Sequence, residues 1–311
     1  DLLEKDIWVV WALSALFESA LVESLVFKGG TSLSKVYKAI DRFSEDVDVT
    51  YDIRKIIPEL IDDPNKPYPP NRSQAKKWTE AVQSRLTAWI SDEVVPLLES
   101  RIKDDRIRAK LRLDDAKLYI DYQAVRSGTG YIKPSVLLEF GARSTGEPAE
   151  HHIVKCDLAA AIEELILPEA QPRVMNAERT FWEKATAIHA YCHRGVFRGG
   201  DRYARHWYDL DCLDKIGIAE SALSNRTLAN EVAEHKQHFF RETDKTGNVV
   251  DYEAAVLSSL CLVPEGEPLK ALEEDYEKMI GAGLFQSSAV NFSDLMSRLT
   301  ELQDRANSNE G

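Results

Sequence analysis

Two aspartates one residue apart are the first feature whose spacing suggests chemistry. Asp46 and Asp48 lie in the run "SEDVDV", where they alternate with Val47 and Val49. In a β-strand, residues i and i+2 point to one face, so both carboxylates project together while the valines face a core. Two carboxylates this close repel each other unless a cation or a proton lies between them, and Mg²⁺ is commonly held by one or two carboxylates plus substrate phosphates. Taken alone, the pair favours a solvated strand edge carrying incidental acids, with a magnesium site as the alternative, and the residues that precede it shift the interpretation toward the metal.

A glycine pair precedes these acids and follows a short apolar run. Glycine lets the main chain approach a ligand closely, and the start of a helix offers free N–H groups to an anion. Many strand-to-helix turns contain glycine, so the glycine pair alone is weak evidence for a nucleotide site. It becomes informative because the paired acids follow it. Ser44, two residues before Asp46, is a further candidate donor to phosphate. The residues predicted to form a nucleotide-binding turn are Gly29, Gly30, Thr31 and Ser32.

The amino-acid sequences of these two motifs are similar to a known family signature. "FKGGTSLSKVY" followed by "RFSEDVDV" resembles the nucleotidyltransferase β superfamily and, within it, the AbiEii/AbiGii toxin family. The likeness continues, in order, through "ERTFWEKATAIHAYCHR" (178–194), "RHWYDLDCL" (205–213), "EHKQHFF" (234–240) and "LEEDYEKM" (272–279). It covers nearly the whole chain. The resemblance implies a nucleotidyltransferase enzyme that acts as a toxin in abortive-infection and type IV toxin–antitoxin systems, with a cognate antitoxin as a partner.

The later motifs contribute a lysine and an aspartate. Lys184 stands between Phe181 and Ile188 on a helical stretch, so it leans toward the packed face and needs an anionic partner or a stem that reaches solvent. The resemblance implies that Lys184 contacts the triphosphate of a nucleotide. It also implies that Asp209 is the partner acid, either holding Lys184 in place or binding the nucleotide. Asp211 is expected to be solvated.

A third carboxylate, on a strand after the paired acids, is usual in the superfamily. Glu139 in "VLLEFG" alternates with Leu138 and Phe140, so one acid emerges from an otherwise apolar strand. Asp121 in "LYIDYQ" is the competing candidate. We favour Glu139, as a candidate general base.

The resemblance also implies the substrates. A nucleoside triphosphate would donate NMP to the 3′ end of tRNA, with two Mg²⁺ ions at Asp46 and Asp48, and the product could no longer be aminoacylated, which arrests growth. Candidate contacts to the RNA backbone are Arg194, Arg198, Arg202 and Arg205. The alternatives are nucleotidylation of a protein or small molecule, phosphotransferase activity, and a non-catalytic RNA-binding module.

Two regions must position these residues. Residues 1–165 predict a nucleotidyltransferase-like α/β (α+β) domain with a small mixed sheet and a helical insertion at about 74–110. Residues 166–311 predict a mainly helical domain that carries Lys184 and Asp209. The expected helices and strands of the first region include helices at 3–20 and 32–40 and strands at 25–27, 117–125 and 135–142.

Composition limits the class of protein. The net charge of −13 over 311 residues disfavours a general nucleic-acid coat, although a local basic groove depends only on nearby charge. The four cysteines form no CxxC pair, which indicates neither a zinc site nor a disulfide framework. No apolar run approaches the roughly 18 residues of a membrane span. We therefore expect a cytoplasmic protein with no membrane partner.

Overall fold

The computed structural model describes residues 2–125, 133–162, 164–196, 202–285 and 289–308. The chain divides into two compact units. The first unit comprises Asp1–Tyr37 and Ser44–Asn176, and the second comprises Lys38–Phe43 and Ala177–Gly311. The mixed α/β core with a helical C-terminal region is confirmed.

The boundary between the units differs from the predicted one at residue 165. Glu169–Ala170 and Arg173–Met175 are strands that pair with strands of the first unit, so that unit extends to Asn176. The second unit also includes Lys38–Phe43. Which unit so short a segment belongs to depends on its contacts with residues far away in the sequence. Local sequence patterns do not predict those contacts.

The strands of the first unit build one mixed sheet and one small ribbon. They are β1 (Leu25–Lys28), β2 (Val47–Tyr51), β3 (Ala109–Asp114), β4 (Lys117–Tyr122), β5 (Ser135–Gly141), β6 (Ala149–His151), β7 (Val154–Lys155), β8 (Glu169–Ala170) and β9 (Arg173–Met175). Among the described residues, seven of them form a sheet in the order β3-β4-β5-β2-β1-β9-β6, and β7 pairs with β8. β2 runs antiparallel to β1 and parallel to β5, which places it in the middle of the sheet.

Helices in this unit flank the strands. They are α1 (Leu2–Phe17), α2 (Gly29–Lys35), α3 (Ile53–Ile56), α4 (Arg72–Trp89) and α5 (Val95–Asp104), with a π-helical turn at Ile90–Val94 and 3₁₀ turns at Val22–Ser24, Pro58–Leu60 and Asp157–Ala160. α4 and α5 are the predicted helical insertion. It ends earlier than predicted because β3, whose side chains alternate in exposure, pairs with β4.

The predicted helix at 32–40 is shifted toward the N-terminus. α2 begins at Gly29, the glycine pair itself, and ends at Lys35. Lys38 has a φ of 50°, in the left-handed region, so the helix cannot continue through it. The apolar residues up to Ile40 are therefore not evidence of a longer helix. They reflect the burial of the non-helical segment that follows α2.

The second unit is mainly helical in its described residues. Its helices are α6 (Ala177–Arg194), α7 (Arg205–Lys215), α8 (Ile218–Ser224), α9 (Arg226–Phe239), α10 (Tyr252–Ala254), α11 (Glu267–Gly281) and α12 (Phe292–Ser308), with a π-helical turn at Ala255–Ser259. Trp182 on α6 and Trp207 on α7 are buried, and their indole N–H groups donate to the carbonyls of Ala222 and Leu262. These anchors fix the two helices that carry the lysine and aspartate motifs. Across the described ranges, no helix combines the length and the apolar character needed to span a bilayer.

Candidate functional site

The paired aspartates lie where the central strand begins. Val47 and Val49 are fully buried, whereas Asp48 between them is half-buried on the opposite face of β2, as the alternation predicted. Asp46 directly precedes the strand. Its main-chain carbonyl accepts a hydrogen bond from the Thr31 hydroxyl of α2. The buried threonine therefore holds the start of β2 against the glycine turn.

Gly29 is required by Asp48. A Cβ at position 29 would lie 2.1 Å from Oδ2 of Asp48, far inside any real contact distance. The φ of Gly29 is +80°, a conformation that side-chain-bearing residues rarely adopt. The sequence suggested that the glycine makes room for a ligand. The structure shows that it makes room for the carboxylate of Asp48.

Hydroxyl groups around the turn bond to the protein itself. The Ser32 hydroxyl donates to the Gly29 carbonyl at 2.9 Å, and the hydroxyls of Thr31 and Ser44 lie 3.0 Å apart. Thr31 and Ser32 are fully buried. Their side chains stabilise the turn, so a contact of either residue with a nucleotide would come from the main chain. Ser44 is half-buried, and β2 begins only at Val47, so Ser44 does not share the strand face with Asp46.

A row of charged residues crosses the sheet at Asp48. Its Cα partner on β1 is Lys28, and its partner on β5 is Glu139, whose own partner on β4 is Lys117. Paired residues on neighbouring strands point to the same face. The structure therefore brings Glu139 beside Asp48, and Glu139 is exposed to solvent.

The competing acid, Asp121, lies elsewhere on the sheet. It pairs with Ser135, four residues before Glu139 on β5, which corresponds to about 13 Å along the strand. Its carboxylate accepts hydrogen bonds from the Ser135 hydroxyl at 2.6 Å and from Nε of Arg112 at 3.1 Å. Asp121 is therefore committed to contacts at the other end of β5.

The donor set fits a magnesium ion held jointly with a phosphate. Within the described part of the chain, no group of three or more His, Cys, Asp or Glu side chains is arranged to hold a metal ion. Mg²⁺ needs fewer protein ligands, because it keeps several waters and takes the remaining oxygens from substrate phosphates. Asp46 and Asp48 supply hard oxygen donors of the required kind.

The second unit contains a buried charge cluster around Asp209. Nζ of Lys184 lies 2.8 Å from Oδ2 of Asp209. The Arg42 guanidinium donates to both oxygens of the same carboxylate, from Nε at 2.6 Å and from NH2 at 2.7 Å. Asp209 is fully buried, and Lys184 and Arg42 are 8% and 6% exposed. Asp209 therefore holds Lys184 in place, one of the two roles left open by the sequence.

Electrostatics keep this carboxylate ionised. Burial alone would raise the pKa of Asp209, but the charges of Arg42 and Lys184 outweigh it and hold the pKa well below its ordinary value. The pKa of Lys184 is lowered, because burial, together with the charges of Arg42 and Arg205, outweighs the attraction of Asp209. Two basic side chains thus share one buried carboxylate.

His206, one turn before Asp209, extends the cluster. Its Nδ1 lies 3.5 Å from Nζ of Lys184. Burial of the ring, then the charges of Lys184 and Arg205, lower the pKa of His206 well below its ordinary value, so the ring is neutral near pH 7. A neutral ring accepts from the lysine through Nδ1 and carries its own proton on Nε2.

Sequence reasoning missed Arg42 and His206 as members of this cluster. Arg42 stands two residues before Ser44 in "RFSEDVD", and nothing in that run distinguishes it from an exposed arginine. Its burial and its pairing with Asp209 appear only in the structure. The expectation for Asp211 was wrong: it is 2% exposed and forms ion pairs with Lys215 and Arg298.

The predicted RNA-binding arginines differ in their surroundings. The side chain of Arg194 is 10% exposed and pairs with Glu242 at 3.2 Å, so it is already committed within the protein. Arg202 and Arg205 are exposed, and neither forms an ion pair with an acid among the described residues. Arg198 lies outside the described residues.

Comparison of this chain with known proteins identifies the family to which it belongs. The family model described as nucleotidyl transferase AbiEii toxin, type IV TA system, matches residues 11–298. No curated protein matches the chain. Among solved structures, the chain is similar to MenT4, a nucleotidyltransferase toxin from Mycobacterium tuberculosis H37Rv, with 16% identity and a TM-score of 0.46 over 99% of this chain and 84% of that one. Because the family model spans nearly the whole chain, this protein belongs to the AbiEii family of nucleotidyltransferase toxins of type IV toxin–antitoxin systems.

Proposed function

We propose that this nucleotidyltransferase toxin transfers NMP from a nucleoside triphosphate to the 3′ end of tRNA in a Mg²⁺-dependent reaction. The modified tRNA can no longer be aminoacylated, so growth stops until the cognate antitoxin acts. The reaction takes place in the cytoplasm, where both substrates occur. The observation that carries the nucleotide part of this proposal is the buried cluster in which Lys184 and Arg42 share the carboxylate of Asp209.

The excess of basic side chains over carboxylates in this cluster favours a polyanionic ligand. Arg42 alone, bound through two nitrogens, neutralises Asp209. Burial, with the charges of Arg42 and Arg205, lowers the pKa of Lys184, so a further anion beside it would stabilise its ammonium form. A triphosphate supplies that anion, and the ion pair with Asp209 holds the lysine in position before the substrate arrives.

In the first unit, Asp46 and Asp48 would hold magnesium together with the substrate phosphates. Magnesium held by these carboxylates would supply the positive charge that offsets the charge of the phosphates and of the leaving pyrophosphate. Glu139, beside Asp48 and open to solvent, is the candidate to accept the proton of the attacking hydroxyl. The hydroxyl oxygen bonds to the α-phosphorus while the bond to pyrophosphate breaks.

Charge distribution supports an RNA acceptor. The chain as a whole is acidic, with a net charge of −13, so unselective binding to nucleic acid is disfavoured. Arg205, the first residue of α7 and one turn before Asp209, is nevertheless exposed, and so is Arg202 in the turn that precedes α7. Two exposed guanidinium groups beside a nucleotide-binding cation suit the phosphate backbone of an RNA end.

The decisive experiment follows labelled nucleotide. Purified protein is incubated with Mg²⁺, total tRNA and each of the four α-labelled triphosphates, and in parallel with γ-labelled ATP. We expect α-label in tRNA with at least one nucleotide, and none when the tRNA 3′ end has been oxidised with periodate. Asp46→Asn should abolish labelling, whereas Asp62→Asn, a change of an exposed acid, should not.

Other outcomes would replace the proposal. Label found in protein or in a small molecule, with none in tRNA, would reject tRNA as the acceptor. Transfer of the γ-label alone would indicate a phosphotransferase. Full toxicity of Asp46→Asn in cells would favour a non-catalytic binding module.

A further inference from the structure

The second unit contains a cavity that the proposed reaction does not yet use. Its volume is about 280 Å³, close to the lower limit of about 300 Å³ for small-molecule pockets. Its lining includes residues of α6, α7 and the turn that precedes α7. Those with aromatic or cationic side chains are Tyr191, Arg202, Tyr203, Arg205, His206 and Trp207.

The inner wall of the cavity is rigid and aromatic. Trp207 and Tyr191 are 1% and 2% exposed, and their rings meet edge to face at 5.2 Å. The ring of Tyr203 lies 6.1 Å from that of Tyr191 and 6.1 Å from that of His206. Tyr203 and His206 are half-buried, and both line the cavity.

The outer rim is cationic and is held in an unusual conformation. Arg202 has a φ of 74°, in the left-handed region that costs free energy for a residue with a side chain. The buried carboxylate of Asp275 accepts the main-chain N–H groups of Arg202 at 2.8 Å and Ala204 at 2.7 Å. Asp275 therefore holds the strained turn that presents Arg202 and Tyr203 at the cavity.

The cavity is connected to the Asp209 cluster. His206 lines the cavity and contacts Lys184 through Nδ1 at 3.5 Å. The charge of Arg205 acts on both His206 and Lys184. A ligand in the cavity would thus lie next to the lysine that we assign to the triphosphate.

We propose that this cavity binds a single nucleotide unit, with its base stacked against Tyr203 and His206 and its phosphate on Arg202 and Arg205. The inference rests on the proposed function and adds a subsite to it. Aromatic rings beside arginines are the combination that binds single-stranded nucleotides, because every base has a stacking face and each nucleotide a phosphate. An apolar ligand would gain nothing from the cationic rim.

The nucleotide has two possible sources with the same chemistry. One is the incoming triphosphate, whose anionic tail would then extend to Lys184. The other is the terminal nucleotide of the RNA acceptor. Both sources require the same side chains, so one set of variants serves to separate them.

The test is a calorimetric titration of the full chain with two kinds of ligand. One kind can bind only the cavity, and the other can bind only the triphosphate site at Lys184. Nucleoside monophosphates carry a base but no triphosphate, and inorganic tripolyphosphate carries the anion but no base. We expect Tyr203→Leu to weaken binding of at least one monophosphate about 10-fold and to leave tripolyphosphate binding unchanged. Lys184→Gln should do the reverse. Arg205→Gln is a second variant for the cavity, in case Tyr203→Leu is poorly folded.

Tyr119→Leu is the matched control. Tyr119 is also half-buried and has an arginine over its ring, at 3.9 Å, but it belongs to the first unit. It should leave monophosphate binding unchanged. If no monophosphate binds the wild-type chain, or if Tyr203→Leu and Arg205→Gln bind it as the wild type does, the cavity assignment is wrong, while tripolyphosphate binding reports separately on the triphosphate site.

Two further titrations identify the source. The wild type and Tyr203→Leu are titrated with a nucleoside triphosphate and with an RNA that carries the tRNA acceptor stem and its 3′ end. The ligand whose affinity falls in the variant is the one that occupies the cavity. No loss for either ligand would overturn the proposal.

Discussion

The guanidinium of Arg42 binds both carboxylate oxygens of Asp209, at 2.6 and 2.7 Å, although the two residues are 167 positions apart. A planar bidentate pair fixes the plane of the carboxylate as well as its position. Lys184 approaches the same carboxylate at 2.8 Å. Arg42 is therefore a positioning residue, because it determines where Asp209 can hold the lysine.

Asp209→Asn should destabilise the protein strongly. The change leaves Arg42 and Lys184 buried without a counter-charge, for which a loss of about 3–5 kcal/mol is typical. Urea denaturation measures it. The control is Asp214→Asn, which removes a partly exposed ion pair with Arg305 and should cost about 0–1 kcal/mol. Equal losses in the two variants would contradict a buried cluster held by Asp209.

Gly29→Ala should disable the site beyond its effect on stability. The new Cβ would collide with the carboxylate of Asp48, and a displacement of about 1 Å can lower the rate about 100-fold. Gly217→Ala is the control, because Gly217 has nearly the same φ, +82°, with open space where the Cβ would be. The positive φ alone should cost each variant about 1–2 kcal/mol in unfolding free energy, and the collision with Asp48 should add to that loss in Gly29→Ala. Nucleotidyl transfer should fall only in Gly29→Ala, and an active Gly29→Ala enzyme would show that Asp48 tolerates displacement.

Glu139→Gln and Asp121→Asn distinguish the two candidates for the third carboxylate. Loss of a general base lowers the rate by about 10²–10⁴-fold, and we expect that loss for Glu139→Gln, since Glu139 is the strand neighbour of Asp48. Asp121→Asn should transfer nucleotide at nearly the wild-type rate. Single-turnover measurements with labelled triphosphate provide the comparison. The opposite pattern would assign the role to Asp121.

The exposed arginines should determine how binding to tRNA depends on salt. Each lost phosphate contact reduces the slope of log K against log salt by about 0.7–0.9, so Arg202→Gln with Arg205→Gln should reduce it by roughly 1.5. Fluorescence anisotropy with labelled tRNA over a salt series gives the slope. Arg106→Gln with Arg108→Gln, in a basic segment of the first unit interspersed with acids, is the control and should not change it. A slope that is the same in both double variants would exclude Arg202 and Arg205 as RNA contacts.

Acidification should destabilise the second unit through His189. Burial, and then the neighbouring His193, lower the pKa of His189 to about 3, whereas the unfolded value is about 6.5. Between these values the unfolded chain binds the proton and the folded chain does not, so stability falls as the pH decreases from about 6.5. At pH 5 the loss from this group is about 2 kcal/mol.

The measurement is urea denaturation at pH 7 and pH 5. His189→Asn keeps an acceptor for the N–H of Cys261 and should reduce the loss between the two pH values. Part of the loss of stability at pH 5 should remain in this variant, because His206 also has a lowered pKa and also takes up a proton on unfolding. His151→Asn, at an exposed position, should behave as the wild type. An unchanged loss in His189→Asn would show that His189 is not buried in its neutral form.

Local patterns in the sequence were sufficient to predict which carboxylates of the first unit point away from the core. The alternation around Asp48 and around Glu139 predicted which side chains leave the core, because a strand has a period of two whatever it packs against. The register that makes these two acids neighbours required the parallel pairing of β2 with β5. The resemblance implied that Asp209 is the partner acid of Lys184, but it left open whether Asp209 holds the lysine or binds the nucleotide, and the ion pair is visible only in the structure.

What the tertiary structure alone decided concerns burial and distant partners. Arg42 could equally have been a surface residue, Asp211 was expected in solvent, and Arg194 was expected to contact RNA, yet each is committed to a partner within the protein. Gly29 is explained by a side chain 19 positions away that no local rule connects to it. The periodicity of a segment states which face it buries, whereas the charge or ring that meets that face depends on how remote segments pack.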